Sequence, residues 1–106
     1  ALNEAQAAAQ LAPSDPTPQL LIGDISRLMG ELAAAAAAYE RALALAPNME
    51  TAWNVHLNLA LIYQSLEKLD LALEHAATAL KAAPEDQREQ INDFILQLES
   101  QIKPNP

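Results

Sequence analysis

The side chains capable of reaction chemistry are few in this chain and stand apart from one another. His56 and His75 are its two imidazoles. They fall on separate helices, and the nearest carboxylate, Glu74, is adjacent to His75 and so points elsewhere on a helical surface. The sequence therefore gives no metal site. With no cysteine there is no thiol nucleophile or thiolate ligand, and Ser14, Ser26, Ser65 and Ser100 have no base placed to activate them. Gly23 and Gly30 are the only glycines, too few for a loop that cradles phosphate. Glu85 and Asp86 are accounted for by the positive end of a helix dipole. Asp24 and Arg27, three residues apart, suit a surface ion pair of about 0.2–0.5 kcal/mol. Neither a reaction centre nor a cofactor is expected.

Composition narrows the partners. The formal net charge is -8, from 14 acidic and 6 basic side chains. Counterion release on a phosphate backbone needs clustered Lys and Arg, and Arg27, Arg41, Lys68, Lys81, Arg88 and Lys103 are scattered, so nucleic acid and anionic membrane surfaces are disfavoured. No apolar run approaches the roughly 20 residues of a membrane span. A chain without cysteine suits oxidising and reducing surroundings alike, and cytoplasmic and periplasmic settings are both compatible. Half of the residues are apolar while 4% are aromatic, the surplus being Ala and Leu, which points to packed helices and an all-α domain.

Prolines and caps then divide the chain. Ala1 to Ala12 reads as a helix with Leu2, Ala5, Ala8, Ala9 and Leu11 on one stripe, stopped by Pro13. Asp15 or Thr17 can cap the next helix, Gln19 to Met29, which ends at Gly30. Glu31 to Pro47 is a run of helix formers with a fixed stop. Asn48 is a suitable cap for a longer helix from Met49 to Leu66. Asp70 to Ala83 repeats the Ala-rich pattern before Pro84. The last helix, from about Asp86 to Ile102, carries Ile91, Phe94, Ile95, Leu98 and Ile102 on one face, and Pro104 to Pro106 reads as a frayed tail.

Pro13, Pro47 and Pro84 are spaced by 34 and 37 residues, and a period near 34 is a repeat signature. Aligned on the prolines, small residues coincide at Gly23 and Ala60, at Ala1, Ala35 and Ala72, and at Ala8, Ala42 and Ala79. These are the places where two antiparallel helices can approach closely. Ile22, Gly23, Ala35, Tyr39, Ala42 and Pro47, followed by Leu59, Ala60, Tyr63, Ala72, Ala79 and Pro84, resemble the tetratricopeptide repeat family over almost the whole chain. That resemblance implies antiparallel helix-turn-helix repeats stacked as a short right-handed α-solenoid of about six helices. Its parts would be the second helix of a partial repeat (1–13), a repeat (16–47), a repeat with a three-residue extension (48–84) and a capping helix (85–103). The family's Trp position is occupied by Gln19 and then His56, with Trp53 a turn earlier, so the extra residues are expected to lengthen the first helix of the second copy. The chain enters at the second helix of a copy, so the resemblance implies either the C-terminal part of a longer array or a contact for Ala1 to Ala12 supplied by another chain, including a homodimer partner.

The resemblance further implies a non-catalytic interaction module that scaffolds or helps assemble a complex, holding a peptide or helix on the concave side of the stack. Carried over, the binding positions are Leu20, Asp24 and Arg27, then Asn54, Leu57, Leu61 and Gln64, and Leu96 on the capping helix. Leu20 and Asp24 stand where relatives that grip carboxylate-ended peptides present Lys and Asn, so an apolar or basic partner segment is favoured. Leu57, Leu61 and Leu96 either complete the core or await a ligand. Trp53 either anchors a partner or packs near Leu45 and Pro47. Self-association, or service as the non-catalytic tail of a larger enzyme, are the alternative functions.

Overall fold

A computed structural model describes residues 1–102, which contain six helices and no strand. The expected tail at Pro104 to Pro106 lies outside the described residues. Helices α1 (Leu2–Leu11), α2 (Pro16–Leu28) and α3 (Leu32–Leu45) belong to one compact unit, Ala1–Met49; α4 (Ala52–Ser65), α5 (Leu69–Ala82) and α6 (Glu85–Ile102) belong to a second, Glu50–Pro106.

In the first unit, Asp15 caps α2, its carboxylate accepting from the Thr17 N–H at 3.0 Å. Pro16 and Pro18 then occupy the first turn, where no intrahelical donor is required. This is why α2 starts three residues before Gln19. Ala5 of α1, Ile22 of α2 and Ala38 of α3 are buried together, with Leu2, Ala9 and Ile25 packed on them. Ala8 and Leu11, expected on the same stripe of α1, are instead exposed. A helix of ten residues presents one face to α2, and Leu11 falls past its edge. The close-contact prediction holds where two helices flank the position: Ala35, Ala42, Ala72 and Ala79 are all fully buried.

Both helix pairs turn by the same device. Gly30 N–H reaches the Arg27 carbonyl at 3.0 Å and Glu31 N–H reaches Ser26 at 2.8 Å; 37 residues later Glu67 N–H reaches Gln64 at 3.0 Å and Lys68 N–H reaches Tyr63 at 2.8 Å. This paired closure needs a left-handed residue. Gly30 supplies it at φ 78°, Glu67 at φ 61°. A glutamate there carries a steric cost that glycine avoids. Glu67→Gly is therefore expected to raise the unfolding free energy, and Gly30→Ala to lower it, each by about 1 kcal/mol; urea denaturation of the two variants checks both signs.

The second unit departs from expectation at its entry. Helix α4 begins at Ala52, with Thr51 as its cap and no side-chain cap bond, while Asn48 and Met49 form a turn in which Met49 N–H meets the Ala46 carbonyl at 3.3 Å. Most of the extra length therefore enters the connection and little enters the helix. Buried Ala52, Val55, Leu59, Ala60, Ile62 and Tyr63 set the helical phase, and polar Asn48, Glu50 and Thr51 have no apolar face to extend it. At the far end, α6 buries Ile91 and Leu98 and leaves its charged side in water.

Candidate functional site

The binding positions expected on α2 are tied together through a residue of α3. Tyr39 is 1% exposed, and its hydroxyl donates to Asp24 Oδ1 while accepting from Arg27 Nε at 3.4 Å. Arg27 Nη2 and Asp24 Oδ1 stand 4.0 Å apart, both side chains about half exposed. The expected surface pair is thus an ion pair bridged by a buried phenol. Gly23 makes room for it: a Cβ at this position would lie 2.7 Å from Cδ1 and Cε1 of the Tyr39 ring. Leu20, one turn before Asp24, is half-buried, whereas Leu28 at the end of α2 is 80% exposed. Nearby, Gln19 accepts from Arg41 Nε at 2.9 Å, which gives the residue at the family's Trp position a polar cross-helix role.

Burial, and next the bond to Asp24, raise the Tyr39 pKa above the ordinary tyrosine value. Neutral tyrosine is the form favoured by folding. Its contribution to stability is therefore complete below about pH 10 and is lost as pH rises through the higher folded-state value. Stability measured from pH 9 upward is expected to fall in the wild type, and the part of that fall due to Tyr39 is expected to disappear in Tyr39→Phe. The bond to the phenol oxygen also holds the Arg27 guanidinium further above its ordinary value.

The second repeat fills the equivalent space differently. Ala60 and Ala76 replace Gly23 and Tyr39, and the buried aromatic comes from Tyr63, at the position of Ser26 in the first repeat. Tyr63 stacks on His75 with ring centroids 5.6 Å apart and 20° between planes. His75 in turn approaches His56 of α4, Nδ1 to Nδ1 at 2.8 Å. The two imidazoles that the sequence separates are thus brought together by antiparallel pairing of α4 and α5. Their reversed direction across one tight turn was the available signal.

Trp53 and Leu57 pack with Leu80 and Ile95 against buried Ala79, Ala83 and Ile91. Their apolar surface is engaged inside the second unit, so Trp53 has packing partners on α5 and α6. By contrast Leu61 is 47% and Leu96 63% exposed. Asn54, exposed, accepts from Asn58 Nδ2 at 3.3 Å, and Gln64 Nε2 donates to Gln101 at 3.2 Å, linking α4 to α6. The surface of these two helices therefore carries open leucines among amide side chains. Among the described residues no cluster of three or more His, Cys, Asp or Glu is fit to hold a metal, and no helix is long and apolar enough to cross a membrane.

Comparison with known proteins agrees with this architecture. A segment of 45 residues, 42% of the chain, is 44% identical to the signal recognition particle receptor FtsY of Aquifex aeolicus (strain VF5), of which it spans 10%. The chain thus covers about a tenth of the length of that relative. The family model described as tetratricopeptide repeat matches residues 18–49 and 54–86, more than half of the chain and most of both helix pairs that the shared turn joins. The chain belongs to the tetratricopeptide repeat family, whose repeats mediate protein–protein interaction.

Proposed function

We propose that the chain is a non-catalytic scaffold that helps assemble a protein complex by holding peptide or helical segments of a partner on the open face of α2 in the first unit and on those of α4 and α6 in the second. The observation that carries this reading is the exposure of Leu28, Leu61 and Leu96, on α2, α4 and α6 respectively. Large apolar side chains on helices that otherwise satisfy their own cores gain free energy when a partner covers them. The Asp24 carboxylate, half-exposed on α2, adds a preference for a segment with apolar anchors and basic flanks. Leu20, Asn54 and Gln64 complete the polar and apolar surroundings, and Arg27 orients Asp24 through Tyr39. Trp53 and Leu57 are assigned to the core, where their contacts already lie.

The test uses crosslinking capture of partners from the source cell with the folded wild type and Leu61→Glu. Because Leu61 is half-exposed, the substitution leaves the core intact and is expected to reduce capture of the bound segment by about tenfold or more, the effect of removing one interface anchor. Undiminished capture by the folded variant would exclude α4 as the binding surface.

A second reading, self-association through α1, is favoured by one observation. Leu11 is 87% exposed, and Ala1, Ala8, Pro18, Leu21 and Ile25 line an apolar groove between α1 and α2. Light scattering across a dilution series distinguishes it, since a self-associating chain loses mass on dilution while a monomeric scaffold does not. The short match to a much longer receptor supports a third arrangement, in which such repeats serve as a non-catalytic part of a larger protein.

A further inference from the structure

A groove in the first unit runs between α1 and α3 along one side of α2, and its two charged lining groups stand at opposite ends of α3. Glu31, Ala34, Ala37 and Arg41 form its α3 wall, and all four are exposed. About 15 Å of helix separates Glu31 from Arg41. Neither is ion-paired to another described residue, and Arg41 spends only its Nε, on Gln19. The floor of the groove adds an independent signal. Ser26 of α2 is 4% exposed, yet its hydroxyl pairs with no other described residue. Among the described residues no fully enclosed side-chain polar atom lacks a partner, so this hydroxyl opens into the groove that it lines. Ser26 also belongs to the Glu31 end, because its carbonyl accepts the Glu31 N–H at 2.8 Å. A carboxylate and an unused hydroxyl thus sit together, a pair suited to the donor fork of a guanidinium.

We infer that this groove is the contact between two copies of the chain, their α3 helices antiparallel about a two-fold axis near Ala34 and Ala37. In reverse, the wall Glu31, Ala34, Ala37, Arg41 runs Arg, Ala, Ala, Glu. An antiparallel copy therefore sets its Arg41 against Glu31 at both ends and alanine against alanine between them. A two-fold contact has to be self-complementary in this way, and the small side chains let the two helices approach to about 8 Å. The Nη groups of each incoming Arg41 bond the Glu31 carboxylate and the Ser26 hydroxyl beside it. Charge favours this place over the rest of the surface. The chain carries a net charge of -8, whereas the charged groups lining the groove are one acid and one base, so two copies repel each other less here than across acidic surface. The contact takes the side of α2 that bears Ser26 and leaves Asp24 and Leu28 open on the other side, so a dimer presents that surface twice. It goes beyond partner capture and does not depend on it.

Sedimentation equilibrium of the full chain across a dilution series is expected to show a monomer in exchange with a dimer. Glu31→Arg sets two arginines against each other at both ends of the contact, and Arg41→Glu sets two glutamates, so each is expected to weaken dimerisation by about tenfold or more. Mixed in equal amounts, the two variants are expected to associate as tightly as the wild type, because an arginine then meets a glutamate at both ends again. Glu31 makes no side-chain cap bond and Arg41 is exposed, so both variants are expected to fold, with circular dichroism as the check. Leu21→Glu, in the separate groove between α1 and α2, is expected to leave the equilibrium unchanged. In the wild type, nuclear magnetic resonance shifts that change with concentration are expected along α3 from Glu31 to Arg41, a measurement that needs no variant. A folded wild type that stays monomeric at millimolar concentration, single variants that dimerise undiminished, a mixture that fails to associate, or concentration-dependent shifts absent from α3 would each overturn the proposal. Loss of the dimer in Leu21→Glu would overturn it too and assign self-association to the groove beside Leu21.

Discussion

Leu98→Ala is expected to lower the unfolding free energy of the second unit by about 2–5 kcal/mol, while Leu96→Ala, two residues away, changes it by less than about 0.5 kcal/mol. The contrast follows from the docking of α6. That helix has eighteen residues but fully buries only Ile91 and Leu98, two turns apart on one stripe, with Phe94 and Ile95 partly covered between them. Leu98 is 0% exposed, so its truncation leaves a cavity as well as losing transfer energy. Trp53, the chain's one tryptophan, packs on the cluster that contains Ile91. Its fluorescence during urea denaturation therefore reports the unit in which the loss occurs.

The second large effect concerns the first unit. Gly23→Ala improves helix propensity by up to about 1 kcal/mol, yet the net result is expected to be a loss of about 1–3 kcal/mol. The added methyl meets three carbons of the Tyr39 ring at 2.7–2.9 Å, and the ring has little room to yield. It is buried, and its hydroxyl is held by Asp24 and Arg27. A double-mutant cycle gives the cause. Tyr39→Ala alone is costly through its cavity, but in that background Gly23→Ala is expected to be neutral or stabilising, because the resulting pair of alanines is the one the second repeat already uses at Ala60 and Ala76. Thermal and urea denaturation of the four chains measures the coupling.

Much of the fold was legible in the sequence because helix termination is a local property. Pro13, Pro47 and Pro84 stop helices irrespective of tertiary context, and their period, with the small residues aligned on it, identified the repeat. Buried Ala35, Ala42, Ala72 and Ala79 follow from the same alignment. Helix starts were less legible. Asp15 and the proline after it were readable as a cap and first turn of α2, but Asn48 did not cap α4, because the start of α4 is set by where Ala52 and Val55 find cover.

The candidate site was legible in part. Asp24 and Arg27 could be paired from their spacing, but the phenol between them comes from another helix, and only the register of α2 on α3 places it. Leu57, Leu61 and Leu96 were indistinguishable as sequence. Packing against α5 and α6 engages Leu57, whereas Leu61 and Leu96 stay open. The meeting of His56 with His75 depends likewise on which faces α4 and α5 turn to each other, a property of the pair and of neither helix alone.

The central claim, that open surfaces of α2, α4 and α6 receive a partner, is tested most directly by hydrogen–deuterium exchange of the chain alone and in complex with its captured partner. Slower exchange is predicted in α4 around Leu61 and in α6 around Leu96, together with α2 around Asp24, and α1 is predicted to exchange as it does in the free chain. Protection confined to α1, with α4 and α6 unchanged, would contradict the claim and assign the interaction to the apolar groove beside Leu21.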